Sequence, residues 1–126
     1  MRYLILVYFL FVAGSVRANE VCQALIGSQI IAQDNNNTYL GQISDQYSSN
    51  SIFNEYGTHG SKYNSDSIWN EYGTFGSKYN SLSPFNEYSS TPPMIIKSGN
   101  IIGFLSTNTA IEPSISPNLL KALCFE

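Results

Sequence analysis

Residues whose types can do chemistry recur at a fixed step in the middle of the chain. The segment IFNEYG at 52–57 is followed by IWNEYG at 68–73 and by PFNEYS at 84–89. Each copy therefore offers a carboxylate, an amide, a phenol and a second aromatic ring at equivalent positions. The four sets are Glu55, Glu71 and Glu87; Asn54, Asn70 and Asn86; Tyr56, Tyr72 and Tyr88; and Phe53, Trp69 and Phe85.

The polar sets suggest turns more strongly than they suggest a metal site. Three glutamates meeting near an axis could bind a cation through oxygen ligands. Exposed turns normally carry polar residues, however, so we expect each glutamate to be a solvated turn residue. Asparagine side chains bond to nearby backbone in turns, which favours a turn-forming role over ligand recognition. The sequence predicts no metal and no cofactor.

The aromatic sets fit either a binding surface or a core. Aromatic rings beside asparagine can stack on sugars or peptides, since such rings combine apolar area with a polar handle. The interior of a small barrel also needs large side chains. We expect Phe53, Trp69 and Phe85 to lie in the core, whereas Tyr63 and Tyr79 fit both environments.

Catalysis has little support in these residue types. His59 is the only histidine and is not repeated in the other copies. No serine lies in a nucleophile elbow, and bridged cysteines cannot act as nucleophiles. The glutamates belong to the repeat, which favours structure over an acid–base pair with separated pKa values. A hydrolase using His59 with a nearby carboxylate remains an alternative.

Short strands and turns must position these residues, because Ser, Asn, Gly and Tyr are poor in helix interiors. One repeat unit is long enough for a hairpin with its connection. Asn54 suits the first position of a β-turn and Gly57 the fourth. Gly60 and Gly76 permit a bulge or a close backbone approach. With the apolar flanks, the pattern predicts about four hairpin-like units in series, at 29–44, 51–64, 67–80 and 83–107.

We expect an all-β fold in which these units close into a small, shallow barrel with pseudo-four-fold symmetry. Closure removes exposed sheet edges and buries a face that no unit can bury alone. Ser116, Pro117 and Asn118 predict the start of a short final helix over 119–123. Interleaved Ser, Asn and Tyr are also typical of disordered tracts. The fixed register of the glycines and the apolar flanks favour order.

The N-terminal segment 1–18 has the layout of a secretory signal peptide. Met1-Arg2 is followed by a largely apolar run over 3–14 and then by small residues ending at Ala18. A membrane-spanning helix needs roughly 20 apolar residues, so we expect cleavage after Ala18 and a single domain over 19–126. Retention of this segment as an envelope anchor is the alternative.

Cleavage leaves four lysines against nine acidic residues, a net charge of −5. Nucleic acids and anionic membranes attract basic patches, so neither is an expected partner. Cys22 and Cys124 lie at the two ends of the mature chain, and an even count in an exported protein predicts a disulfide. Two cysteines with one histidine do not favour a structural zinc site.

Several stretches resemble the four-fold β-flower domain, a family of small bacterial all-β proteins. They are YLGQIS at 39–44, the two SI-[FW]-NEYG-T-x-GSKYN units at 51–64 and 67–80, PFNEYSSTPP at 84–93 and IIGFLSTN at 101–108. The resemblance implies a square β-barrel with petal-like hairpins, and export or envelope attachment. It implies no activity and no catalytic residues. His59 departs from the family, which tends to an aromatic residue at that position, as at Phe75.

These observations predict a secreted or periplasmic, non-enzymatic binding or structural module. Its ligand would be a small polar molecule, a glycan or an envelope protein. Membrane contact follows only if the N-terminal segment is retained, which would give an anchored protein-interaction module instead. The predicted ligand contacts, at the barrel mouth, are Tyr56, Tyr72, Tyr88, Asn54, Asn70 and Asn86.

Overall fold

The computed structural model describes residues 18–125. The predicted signal peptide lies outside this range, apart from Ala18. Within it, no helix has the length and hydropathy that a membrane crossing requires. The elements in chain order are α1 (Ala18–Leu25), β1 (Gln29–Ile31), β2 (Tyr39–Gln42), β3 (Met94–Lys97), β4 (Asn100–Leu105), β5 (Ser114–Ile115) and α2 (Pro117–Phe125).

The strands form one mixed sheet in the order β2-β1-β3-β4-β5. The β1–β2, β1–β3 and β3–β4 pairs are antiparallel, and the β4–β5 pair is parallel. Isoleucines dominate β1, β3 and β4, as expected for β-branched residues on a half-buried pleated surface. Ile30 and Ile95 pair across the centre of the sheet and are buried. The predicted strand pairs on both flanks of the repeat are therefore present.

A seven-residue connection with the asparagine-rich segment 34–37 joins β1 to β2. The Thr38 backbone N–H donates to Asp34 Oδ1 at 2.9 Å, and the Thr38 hydroxyl donates to Asp34 Oδ2 at 2.5 Å. These two hydrogen bonds hold the pKa of the Asp34 carboxyl below its usual value, and the bond from the hydroxyl has the larger effect. Asn37 adopts a left-handed φ of 49°, which asparagine tolerates better than most residues.

The predicted final helix is confirmed, and it begins two residues earlier than expected. Pro117 occupies the first helical position, where its missing N–H costs nothing. The Leu119 N–H donates to Ser116 Oγ at 3.1 Å, so Ser116 is the N-cap. Leu120, on the first turn, is fully buried in the core.

The predicted closed barrel is wrong, because the sheet is open. Its two end strands, β2 and β5, do not pair with each other in the described residues. The outer edge of β2 is covered instead by the start of the repeat. Gln42 forms a parallel bridge with Ser51, its N–H donates to the Asn50 carbonyl at 2.8 Å, and its own carbonyl accepts from the Ile52 N–H at 2.9 Å. This contact protects the edge without closure.

The predicted hairpins at 51–64 and 67–80 do not form. Residues 44–93, which we call the turn segment, run through successive turns, and their one β-bridge is at Ser51. Short side chains take the place of strand partners. The Phe53 N–H donates to Ser51 Oγ at 3.0 Å and the Trp69 N–H donates to Ser67 Oγ at 3.1 Å. Such local bonds compete with strand ladders for the backbone N–H groups.

The core continues from the sheet into the turn segment. Ile30, Leu40 and Ile43 are fully buried at the sheet, and Ile52 and Ile68 are equally buried at equivalent positions of two copies. Phe53 of the first copy and Phe75 of the second are buried in the same core. These two copies therefore contribute an isoleucine and a phenylalanine each to a continuous core.

Two repeat glycines make the close backbone approach that the sequence predicts. A Cβ atom built on Gly60 would lie 1.9 Å from the Asn54 carbonyl oxygen. One built on Gly76 would lie 2.1 Å from the Asn70 carbonyl oxygen. These distances are far below van der Waals contact, so only glycine fits at either position.

The predicted disulfide is confirmed between Cys22 on α1 and Cys124 on α2. It joins residues 102 apart in the sequence, with Cα atoms separated by 5.5 Å. Lys97 Nζ also donates to the Ala24 carbonyl at 2.9 Å, near the carboxyl end of α1. The first helix is therefore attached to the domain by both a covalent and a polar contact.

We expect Gly76→Ala to lower the free energy of unfolding by about 1–3 kcal/mol or more, because the new methyl group overlaps backbone. Gly73→Ala is the matched control, since its Cβ would meet Asn70 Nδ2 at 3.2 Å and a side chain can adjust. Urea denaturation of both variants measures the difference. Equal losses in the two variants would contradict the close approach at Gly76.

Removing the disulfide with Cys22→Ser and Cys124→Ser should lower the free energy of unfolding by about 4–5 kcal/mol, the chain-entropy value for a loop of about 100 residues. Denaturant titrations of the double variant and of the parent chain measure this loss. Adding reductant should destabilise the parent and leave the double variant unchanged. A parent chain insensitive to reductant would count against the bond.

Candidate functional site

The turn segment displays six tyrosines to solvent. Their exposed fractions run from 82 to 98%, which is unusual for large aromatic side chains. They form two sets of three, and each set follows the step of the repeat. The first set is Tyr56, Tyr72 and Tyr88, the predicted ligand contacts, and the second is Tyr47, Tyr63 and Tyr79. We call these six residues the tyrosine face.

The asparagines fix the backbone beneath the first set. The N–H groups of Tyr56, Tyr72 and Tyr88 donate to the Oδ1 atoms of the asparagines two positions earlier, at 3.0, 3.1 and 3.0 Å. Asn70 Nδ2 also donates to the Asn64 carbonyl at 3.2 Å. The Gly73 N–H donates to the Asn70 carbonyl at 3.0 Å and closes a β-turn of the predicted kind. Asn70 therefore holds a turn and uses both ends of its amide in doing so.

Other short side chains fix the second set. The N–H groups of Tyr63 and Tyr79 donate to the hydroxyls of Ser61 and Ser77 at 3.1 and 3.2 Å. Tyr47 is held in the same way by Asp45 Oδ1 at 2.9 Å. The backbone N–H of each tyrosine of this set is therefore hydrogen-bonded to a side chain two positions earlier.

Lysines lie over two rings of the second set. Lys62 Nζ is 5.8 Å from the ring centroid of Tyr63, and Lys78 Nζ is 5.3 Å from that of Tyr79. At exposed sites such cation–π contacts contribute about 0.5–1 kcal/mol each. They place one positive charge beside each of these phenol rings.

An inner row of aromatic rings, tilted by 49° and 53° against one another, follows the same repeat. The ring centroids of Phe53 and Trp69 are 6.3 Å apart, and those of Trp69 and Phe85 are 5.7 Å apart. Equivalent rings of successive copies therefore lie next to one another. Phe53 is buried, as expected, and Phe125 of α2 packs on it at 4.8 Å. Trp69 and Phe85 were expected in the core but are only half-buried, and both line a groove.

The main groove has a volume of about 720 Å³. Its apolar lining comes from the half-buried inner rings, and two residues of opposite charge, Glu71 and Lys78, also line it. Its aromatic residues are Trp69, Tyr72, Tyr79 and Phe85. It therefore combines aromatic surface with a small number of polar groups, as ligand sites usually do.

A smaller groove of about 280 Å³ lies at the first copy. Its lining includes Tyr47, Phe53, Glu55 and Tyr56. Phe53, Glu55 and Tyr56 stand one repeat step before Trp69, Glu71 and Tyr72 of the main groove. The second tyrosine differs in its place, since the main groove has Tyr79 and not Tyr63. Sequence reasoning assigned no role to Tyr47, although it stands one repeat step before Tyr63 and two before Tyr79.

His59 shares neither groove with the glutamates that line them, Glu71 and Glu55. Glu55, Glu71 and Glu87 are all exposed on the turns. Over residues 18–125, no group of three or more His, Cys, Asp or Glu side chains could hold a metal ion. His59 packs its ring edge-to-face against Tyr39 at 5.0 Å, and it lines neither groove.

Asn70→Ala should lower the free energy of unfolding by about 1–3 kcal/mol, because two hydrogen bonds are lost, that from the Tyr72 N–H and one of the two that the Asn64 carbonyl accepts. Tyr72→Ala should change it by less than about 0.5 kcal/mol, since that side chain is 91% exposed. Thermal and chemical denaturation of the two variants side by side test this division of labour. A stable Asn70→Ala variant would remove the structural role of the asparagines.

Comparisons with family models, with curated proteins and with solved structures find no match to this chain. The resemblance to the β-flower family therefore stays a prediction.

Proposed function

We propose that the chain is an exported, non-enzymatic binding module that holds its ligand on the tyrosine face. The observation that carries this proposal is the exposure of six tyrosines at a regular step along one segment. Exposed apolar side chains that lie together mark interaction sites, and four of the six meet in pairs, Tyr47 with Tyr56 and Tyr72 with Tyr79, at the two grooves. The ligand would lie on the outer surface of the turn segment and in its grooves, since the sheet is open and has no barrel mouth.

Tyrosine suits this role for an energetic reason. It supplies a large, amphipathic contact area and loses only two side-chain torsions on binding. The backbone under Tyr56, Tyr72 and Tyr79 is fixed by hydrogen bonds to short side chains, those of Asn54, Asn70 and Ser77. A surface ordered in advance loses less conformational entropy on binding, so more of the contact energy appears as affinity.

Export is supported by the covalent bond between α1 and α2. Disulfides persist in oxidising compartments and are rare where thiols are kept reduced. The bond is present between Cys22 and Cys124, and the pattern of residues 1–18 independently predicts a secretory signal. The two observations together support a secreted or periplasmic location.

A thermal-shift screen of the disulfide-bonded chain tests the proposal. The panel should contain sugars, cell-wall fragments, peptides, lipids and divalent cations. A ligand at a hundred times its dissociation constant stabilises by about 2.7 kcal/mol, which raises the melting temperature of a small domain by several degrees. We expect at least one such shift in the parent chain.

The same ligand should give no shift with the Tyr72→Ser/Tyr79→Ser variant. Ile101→Ser is the matched control, because Ile101 is an exposed apolar residue of β4 that lines neither groove. The control should respond as the parent does. A shift that survives loss of the tyrosines would place the ligand elsewhere, and a panel without any shift would contradict a small-ligand module.

A further inference from the structure

We propose that the two grooves are successive subsites for an unbranched, uncharged polysaccharide. This inference rests on the proposed binding function and names its ligand class. The juxtaposition that carries it is the pairing of half-buried aromatic rings with exposed phenols and one charge of each sign in the same groove.

The chemistry of a sugar ring matches the lining of the main groove. A pyranose has apolar C–H faces and an equator of hydroxyls that both donate and accept hydrogen bonds. Trp69 and Phe85 offer apolar ring surface to the C–H faces. Glu71 can accept from the hydroxyls, Lys78 can donate to them, and the Tyr72 hydroxyl can do both.

The repeated composition of the grooves favours a repeated ligand. The smaller groove is lined by Tyr47 and Tyr56. The main groove is lined by Tyr72 and Tyr79, which come from later copies. Because the inner rings of successive copies follow one another at 6.3 and 5.7 Å, the two sites are arranged in the order of the copies. A polymer of identical units presents the same chemistry to both.

The charges favour a neutral polymer. Glu71 and Lys78 in the main groove cancel each other, and the chain as a whole is acidic, with a net charge of −3. A polyanion would be repelled by the net charge of the protein and attracted only locally. A polycation would be attracted by the net charge but would be repelled in the groove itself by Lys78, beside the Tyr79 ring. An uncharged chain avoids both repulsions.

The backbone disfavours an extended peptide as the ligand. Peptides that bind in extended form gain much of their affinity from main-chain hydrogen bonds to a free sheet edge. In the main groove, the N–H groups of Tyr72 and Tyr79 already donate to Asn70 Oδ1 and Ser77 Oγ. Side-chain stacking and side-chain hydrogen bonds remain, and these suit a glycan.

The exposure of the rings makes ligand length the decisive variable. Tyr72 is 91% and Tyr79 83% exposed, so neither ring is part of a closed pocket that could enclose one sugar. A single sugar should therefore bind weakly. Linked subsites add their binding energies, because the second contact becomes intramolecular.

Isothermal titration calorimetry of the disulfide-bonded full chain tests the inference. The probes are dimers and hexamers of β-1,4-linked glucose, of β-1,4-linked N-acetylglucosamine and of α-1,4-linked glucose. We expect at least one hexamer to bind at least tenfold more tightly than its dimer. A linear peptide containing aromatic residues and a sulfated dextran serve as the competing ligand classes.

Tyr72→Ala/Tyr79→Ala should weaken hexamer binding at least tenfold. Tyr72→Phe/Tyr79→Phe should retain most of it, because the aromatic surface beside Trp69 and Phe85 is kept and only the two phenol hydroxyls are lost. The control Ile101→Ala should bind within twofold of the parent. Thermal melts of each variant establish that it is folded, as the exposure of both tyrosines leads us to expect.

The outcomes separate this inference from the function on which it rests. Failure of all three sugars, with a peptide or polyanion whose binding depends on Tyr72 and Tyr79, overturns the polysaccharide and keeps the binding module. Hexamers that bind no better than dimers overturn the successive subsites. A probe that binds equally well to the parent and to Tyr72→Ala/Tyr79→Ala overturns the assignment of the groove. If the binding of no probe depends on these tyrosines, the proposed function is overturned as well.

Discussion

Hydrogen bonds from backbone N–H groups to short polar side chains are the constraint on which the turn segment depends. A chain that turns repeatedly leaves its N–H groups without strand or helix partners, and burying such groups unpaired costs about 1–3 kcal/mol each. Ser51 and Ser67 are fully buried and meet this need at equivalent positions. The Ser51 hydroxyl accepts from the Phe53 N–H and donates to the Ser44 carbonyl. The Ser67 hydroxyl accepts from the Trp69 N–H and donates to the His59 carbonyl.

This arrangement decides which side chains remain at the surface. Serine and asparagine bond to the backbone and isoleucine packs in the core, so the tyrosines of each copy are left facing outward. Asn54, for example, donates to the Ser48 carbonyl and accepts from the Tyr56 N–H, while Tyr56 itself is 98% exposed. The composition that resembles a disordered tract thus has a consistent assignment, in which each residue type has its own structural role.

The local features were predictable from sequence because each depends on a few neighbouring residues. The turn from Asn54 to Gly57, the close approach at Gly60 and the cap at Ser116 all belong to this class. The hairpins and the barrel were not predictable in the same way. They required knowing which partner the backbone N–H groups choose, and Ser51 and Ser67 offer a local acceptor that competes with a neighbouring strand.

The candidate site was likewise predictable only in its local features. The regular step of the repeat identified Tyr56, Tyr72 and Tyr88 from sequence. The repeat did not reveal that Trp69 and Phe85 are only half-buried and line a groove. Their exposure depends on how much of the inner row of rings α2 covers. The ring centroids of Phe125 and Phe53 are 4.8 Å apart, and Lys121 Nζ lies 5.8 Å from the Trp69 ring centroid.

The contact between equivalent rings of successive copies has an evolutionary consequence. Trp69 meets Phe53 on one side and Phe85 on the other at similar distances. An in-frame duplication of one copy would therefore find matching neighbours, while the sheet and the disulfide at the chain ends stayed as they are. The reach of the outward surface can change by gain or loss of whole units, and selection can adjust the length of ligand engaged without redesigning the fold.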